Sequence, residues 1–169
     1  MIIIKTFSLF LIIAISSLIG RILSQKYVNR LEELEELKNA LNIFKSKIKF
    51  TYDPISEIFE EISKNTSKNI SNIFLNAKKN MNGKIASIAW ENAVDETDCN
   101  LNNEDKKTIK TLSKLLGQTD IEGQVSQIEI TQNFLEKQIK GAQEEKEKNE
   151  KLYKKLGTII GLAIAIVLI

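Results

Sequence analysis

Histidine is absent from all 169 residues of this chain. That removes the commonest general base, the base of a nucleophilic triad, and most zinc and di-iron sites, which draw on His ligands or E-x-x-H pairs. Cysteine occurs once, as Cys99. It can form no internal disulfide, and neither a C-x-x-C partner nor a His activates its thiol. Proline also occurs once and glycine seven times, so helix breakers are scarce. No segment alternates between apolar and polar residues with the period of a strand. The net charge of +2 is too small to argue for nucleic acid. Such an inventory predicts no metal, no cofactor and no catalysis.

What remains is rich in Glu, Lys, Leu and Ile, the composition of an all-α protein. Residues Ile2 to Leu23 are almost continuously apolar, with Lys5 near the start and Arg21 near the end. With its flanks, this stretch of about 20 residues can span a bilayer. A cleaved signal peptide is the rival reading, because the apolar core is short. The lack of an A-x-A pattern after that core favours an anchor over residues 1–24.

Apolar periodicity then predicts an up-down bundle of about six helices over residues 26–142. Leu31, Leu34, Leu37, Leu41, Phe44 and Ile48 share one face of the first, and from Leu34 onward they fit a heptad seam. Glu32, Glu33, Glu35 and Glu36 form what reads as a solvated face. Asp53-Pro54 reads as an N-cap and first helical residue, opening a second helix with Ile55, Ile58, Phe59 and Ile62. A third carries Ile70 to Met81 and stops at Asn82-Gly83, and a fourth holds Trp90 at an expected core position. Asn102, with Asp105 three residues on, caps a fifth that runs toward Leu116.

The organising stretch is the corner that follows. Gly117 stands where a helix-terminating glycine is expected. Thr119 and Glu122 fit a T-x-x-E capping box, with Asp120 a competing N-cap. Ile121, Val125, Ile128, Gln132, Leu135, Ile139 and Ala142 then form one stripe, interrupted only by Gln132. Asp120 and Gln124 lie one turn apart, so the corner (Gly117, Thr119, Asp120, Glu122, Gly123 and Gln124) is the candidate partner-docking site.

Residues 143–155 read as a charged helical stem supported by Glu144–Lys148, Glu147–Lys151 and Glu150–Lys154 pairs. Residues 156–169 are apolar, but fourteen residues of helix cover only about 21 Å. Leu152 and Tyr153, with Lys151, Lys154 and Lys155 snorkelling, could extend the span, or the bilayer could thin locally. Gly157 and Gly161 have the G-x-x-x-G spacing of close helix contact. Basic residues follow the first apolar stretch and precede the second, so the positive-inside rule places the bundle in the cytoplasm.

Several of these runs carry a resemblance. LGQTDIEGQVSQIEIT, then FLEKQI, a Glu/Lys stem and KLYKKLG, resemble the stage III sporulation protein AB family of endospore-forming bacteria. That family is similar in turn to the cytoplasmic domains of the type II secretion F protein, an inner-membrane platform subunit. Pro54 through Ile58 and Gly117 through Gly123 occupy the matching places, with one helical domain here instead of two. The resemblance implies a non-enzymatic platform or scaffold subunit of the channel between mother cell and forespore, seated in the mother-cell membrane. It also implies docking of a secretion-type ATPase, stage III sporulation protein AA, and contact with other stage III sporulation channel proteins.

Two other classes fit the residues. A self-associating coiled-coil scaffold would use the Leu34–Ile48 seam to form a homo-oligomer. A membrane sensor has the same outline, but would need an output domain beyond Ile169.

Overall fold

The structure is a computed structural model that describes the backbone of residues 2–168 and the side chains of residues 7–168. Met1, the Lys5 side chain and Ile169, which enter the two expected spans, lie outside the described residues. The described residues form six α-helices: α1 (Ile2–Ser46), α2 (Ile55–Lys64), α3 (Lys68–Asn80), α4 (Ala86–Glu96), α5 (Asn103–Lys110) and α6 (Ile121–Leu168). No strand occurs among the described residues, as the missing period-two pattern predicts.

One helix is longer than its periodicity suggests. The expected anchor and the first bundle helix are one helix, α1, because no Gly-Pro or Asn-Gly break separates Leu23 from Lys26. Stem and last stripe are continuous in α6, the long last helix expected from a stretch that no Pro interrupts. The chain groups into two compact units, one taking α1 up to Leu31 with α6 from Gly141, the other residues 32–140.

The 32–140 unit is built on an aromatic cluster. The Phe59 ring centroid lies 5.5 Å from Phe44, 5.8 Å from Phe74 and 5.6 Å from Trp90. All four rings are fully buried, and the indole N–H of Trp90 donates to the Ile109 carbonyl at 2.9 Å. An indole buried without that acceptor would lose a hydrogen bond. Leu34, Leu37 and Leu41, on the same face of α1 as Phe44, have no exposed surface. The heptad seam is therefore spent inside one bundle and is not available for pairing chains.

Polar groups tie the layers together. Gln132, which interrupts the α6 stripe, is buried and donates to Asn42 Oδ1 at 2.7 Å, an α6-to-α1 clasp. Of the expected solvated glutamates, Glu32 and Glu35 are exposed. Glu33 is not: it is 6% exposed and accepts from Asn69 and from both the backbone and side chain of Asn100. Glu36 accepts from the backbone and hydroxyl of Ser67, the N-cap position of α3.

Two helix boundaries differ from the sequence expectation. Pro54, with ψ 141°, is the N-cap of α2 rather than its first helical residue, and no side chain caps that helix. Asp53 turns instead toward Lys47, 3.6 Å away. The fifth helix ends at Lys110 and continues as a 3₁₀ turn over Thr111–Lys114. Its start is as expected: Asn102 and Asp105 bond each other's backbone N–H at 2.9 Å.

In the other unit, small residues let the two helices touch. A Cβ on Gly20 would meet the Tyr153 carbonyl at 2.5 Å, and one on Gly157 the Ser16 carbonyl at 2.7 Å. The Ser16 hydroxyl donates to the Gly157 carbonyl at 2.6 Å. Gly161 packs on Ile13, so the G-x-x-x-G pair is used within the chain. Tyr27 stacks on Tyr153, and Arg30, nearly buried, pairs with Glu145 at 2.6 Å. Among the described residues one helix, running from Phe7, is long and apolar enough to cross a membrane; its mean hydropathy reaches 2.1. The 18 residues ending at Leu168 include Lys151, Lys154 and Lys155.

Candidate functional site

The corner between the 3₁₀ turn and α6 is assembled by backbone needs. Gly117 has φ +69°, a left-handed conformation that glycine adopts without steric cost. α6 begins at Ile121, which makes Asp120 its N-cap; the Asp120 carboxylate accepts from the Gly123 N–H at 2.9 Å. Thr119 thus precedes the cap, and its hydroxyl donates to Asp120 Oδ1 at 3.3 Å. The T-x-x-E box is not what closes the corner: the competing Asp120 takes the cap, and Glu122 stays exposed. Gly123 is glycine for a steric reason, since a Cβ there would lie 2.7 Å from Thr119 Oγ1 and 3.0 Å from Asp120 Oδ1.

Gln124 staples the turn shut. Its side-chain oxygen accepts from the Gly117 N–H at 3.2 Å, and its side-chain NH₂ donates to the Thr119 carbonyl at 3.1 Å. Gln118 reaches across to the Ser87 hydroxyl at 2.7 Å, and Gly117 packs against Ala86 and Ile55. The corner is thereby fixed to the starts of α2 and α4. The six candidate residues do come together, but the polar groups of Asp120 and Gln124 serve local bonds.

Beside them lies a shallow groove of about 120 Å³, lined by Ile48, Tyr52, Asp53, Ile55, Ile121 and Gln124. Tyr52 ends the π turn Lys47–Thr51 in a left-handed conformation, φ 57°. It is 69% exposed and Phe50 is 70% exposed. Sequence periodicity missed both, because the π turn throws them off the α1 stripe. Ile85 at the start of α4 and Leu115 after the 3₁₀ turn are exposed at the same end. Each stands beside a solvent-facing lysine: Lys49-Phe50, Lys84-Ile85 and Lys114-Leu115.

Pairing shifts two charged groups near this end of the bundle. Lys47 lies above the usual lysine range because Glu61 accepts a hydrogen bond from it, with Asp53 adding to the effect. Lys64 and Lys78 hold Glu60 down to about 2. Burial pushes the Cys99 thiol up, away from the thiolate that nucleophilic chemistry needs.

The family model of stage III sporulation protein AB matches residues 5–169. Stage III sporulation protein AB of Bacillus subtilis (strain 168) is 23% identical over 146 residues, covering 84% of this chain and 85% of its own. A solved structure of stage III sporulation protein AB superposes with a TM-score of 0.63 at 20% identity, over 70% of this chain and 96% of that one. The helical architecture is therefore shared at low identity, and the family match extends from the apolar N-terminal stretch to the last residue. This chain belongs to the stage III sporulation protein AB family.

Proposed function

We propose that the chain is a non-enzymatic, membrane-anchored platform subunit of the stage III sporulation channel, with its helical bundle in the cytoplasm of the mother cell. In this reading the bundle docks a secretion-type ATPase, stage III sporulation protein AA, and organises other channel proteins. The similarity of the corner to that of the type II secretion F protein supports the assignment to a platform. The observation that carries it is the exposed end where α1 finishes and α6 begins. There Phe50, Tyr52, Ile85 and Leu115 leave large apolar side chains in solvent, while the same unit buries an aromatic cluster completely. Large exposed apolar side chains set next to charged residues favour a protein interaction site.

Binding of purified stage III sporulation protein AA to the full chain in vesicles tests this. Tyr52→Ser and Phe50→Ser together should weaken binding by at least about tenfold, the effect of losing interface aromatics, with unchanged helix content. Undiminished binding by the double variant would remove this end of the bundle from the docking surface.

A further inference from the structure

The unit formed by the N-terminal part of α1 and the C-terminal part of α6 contains a groove of about 450 Å³. It runs from Ile12 to Leu23 on α1 and from Tyr153 to Ile164 on α6, so on each helix it is about 16 Å long. That is close to half the ~30 Å hydrocarbon thickness of a bilayer, the depth of one leaflet. An uncharged, mostly aliphatic slot of this length suits a single hydrocarbon chain. Ile15, Ile19 and Ile160 supply walls with no charged group.

Its basic end selects the headgroup. Lys26 stands one turn beyond Leu23 on the same stripe of α1 that lines the groove, and it is exposed. Lys151 and Lys155 flank Tyr153 and are also exposed, and among the described residues none of these three lysines forms an ion pair. Two acids of the stem are already paired, Glu145 with Arg30 and Glu150 with Lys154, while Glu147 accepts only from the neutral Gln143. Basic residues at the mouth of an inter-helix cleft attract anionic headgroups.

We propose that this groove is a lipid site that holds one acyl chain of an anionic phospholipid from the leaflet on the basic side, with the headgroup phosphate at Lys26. The site rests on the reading of α1 as a membrane helix. A bound lipid fills a slot that the Gly20–Gly157 contact leaves beside it, and so cements the helix pair.

The test uses the full chain reconstituted in phosphatidylcholine vesicles with or without phosphatidylglycerol. Flotation is measured first, then the lipids retained by the extracted protein in native mass spectrometry. One phosphatidylglycerol per chain should be retained in preference to phosphatidylcholine. Lys26→Gln should reduce that preference about fivefold, the effect of one lysine near an anionic surface. Ile19→Trp, which fills the groove, should abolish retention, whereas Leu18→Trp, outside the groove lining, should not. Equal retention of the two lipids, indifference to Ile19→Trp, or a second copy of the chain in place of lipid would each overturn the site alone. Failure to float with either vesicle would overturn the membrane reading together with it.

Discussion

The buried carboxylate of Glu33 on α1 accepts the backbone N–H of Asn100 at 2.8 Å, sixty-seven residues further along the chain. Its other oxygen accepts from the Asn69 side chain at 2.8 Å, so one residue fixes both α3 and the loop before α5 to α1. Removing it leaves three part-buried donors without that acceptor. Glu33→Ala is expected to destabilise the fold by roughly 1–3 kcal/mol, whereas Glu35→Ala, on the exposed neighbour, should fall within about 0.5 kcal/mol. Denaturant unfolding of the full chain in detergent measures both.

Acid should weaken the bundle through Glu60. Lys64 and Lys78 hold its carboxyl at about 2, below its ordinary 4.5. The folded value lies under the unfolded one, so the pairing stabilises the fold above about pH 4.5 and its effect fades as pH falls toward about 2. Glu60→Gln should flatten the stability profile across that window and leave its shape above pH 6 unchanged. A profile as steep as the parent's would mean that other carboxylates carry the acid response.

At the corner, Asp120 and Thr119 look equivalent in sequence but not in structure. Asp120→Ala removes the cap of α6 and should cost about 1 kcal/mol; Thr119→Ala should cost clearly less. Gly123→Ala must push a Cβ into Thr119 and Asp120, and Gly117→Ala must hold φ +69°, a strain of roughly 1–2 kcal/mol. Thermal melts of the four variants rank these effects, and a Thr119→Ala loss equal to that of Asp120→Ala would contradict the assigned cap.

Helix periodicity made the bundle legible. Leu34, Phe44, Phe59, Phe74 and Trp90 recur at helical spacing and all are buried, because a helix can hide a stripe only by packing it on others. The Asn102–Asp105 box was equally local and equally readable. What periodicity could not give were partners distant in sequence. Glu33 looks like its three acidic neighbours, and only Asn69 and Asn100, brought close by the fold, set it apart. Tyr52 and Phe50 were hidden for another reason: five residues of π turn shift the phase by which apolar residues are assigned to a face. The corner was recognised from its Gly, Asp and Thr, but the clasp made by Gln124 depends on a turn geometry that no spacing reveals.

Docking at the Phe50–Tyr52 end can be tested directly in the sporulating cell. A photoreactive amino acid placed at Tyr52, and for comparison at the exposed Glu35, would be activated in intact membranes and the captured chains identified. The account predicts that position 52 captures stage III sporulation protein AA and that position 35 does not. Capture from Glu35 alone, or from neither position with full expression of both proteins, would contradict it.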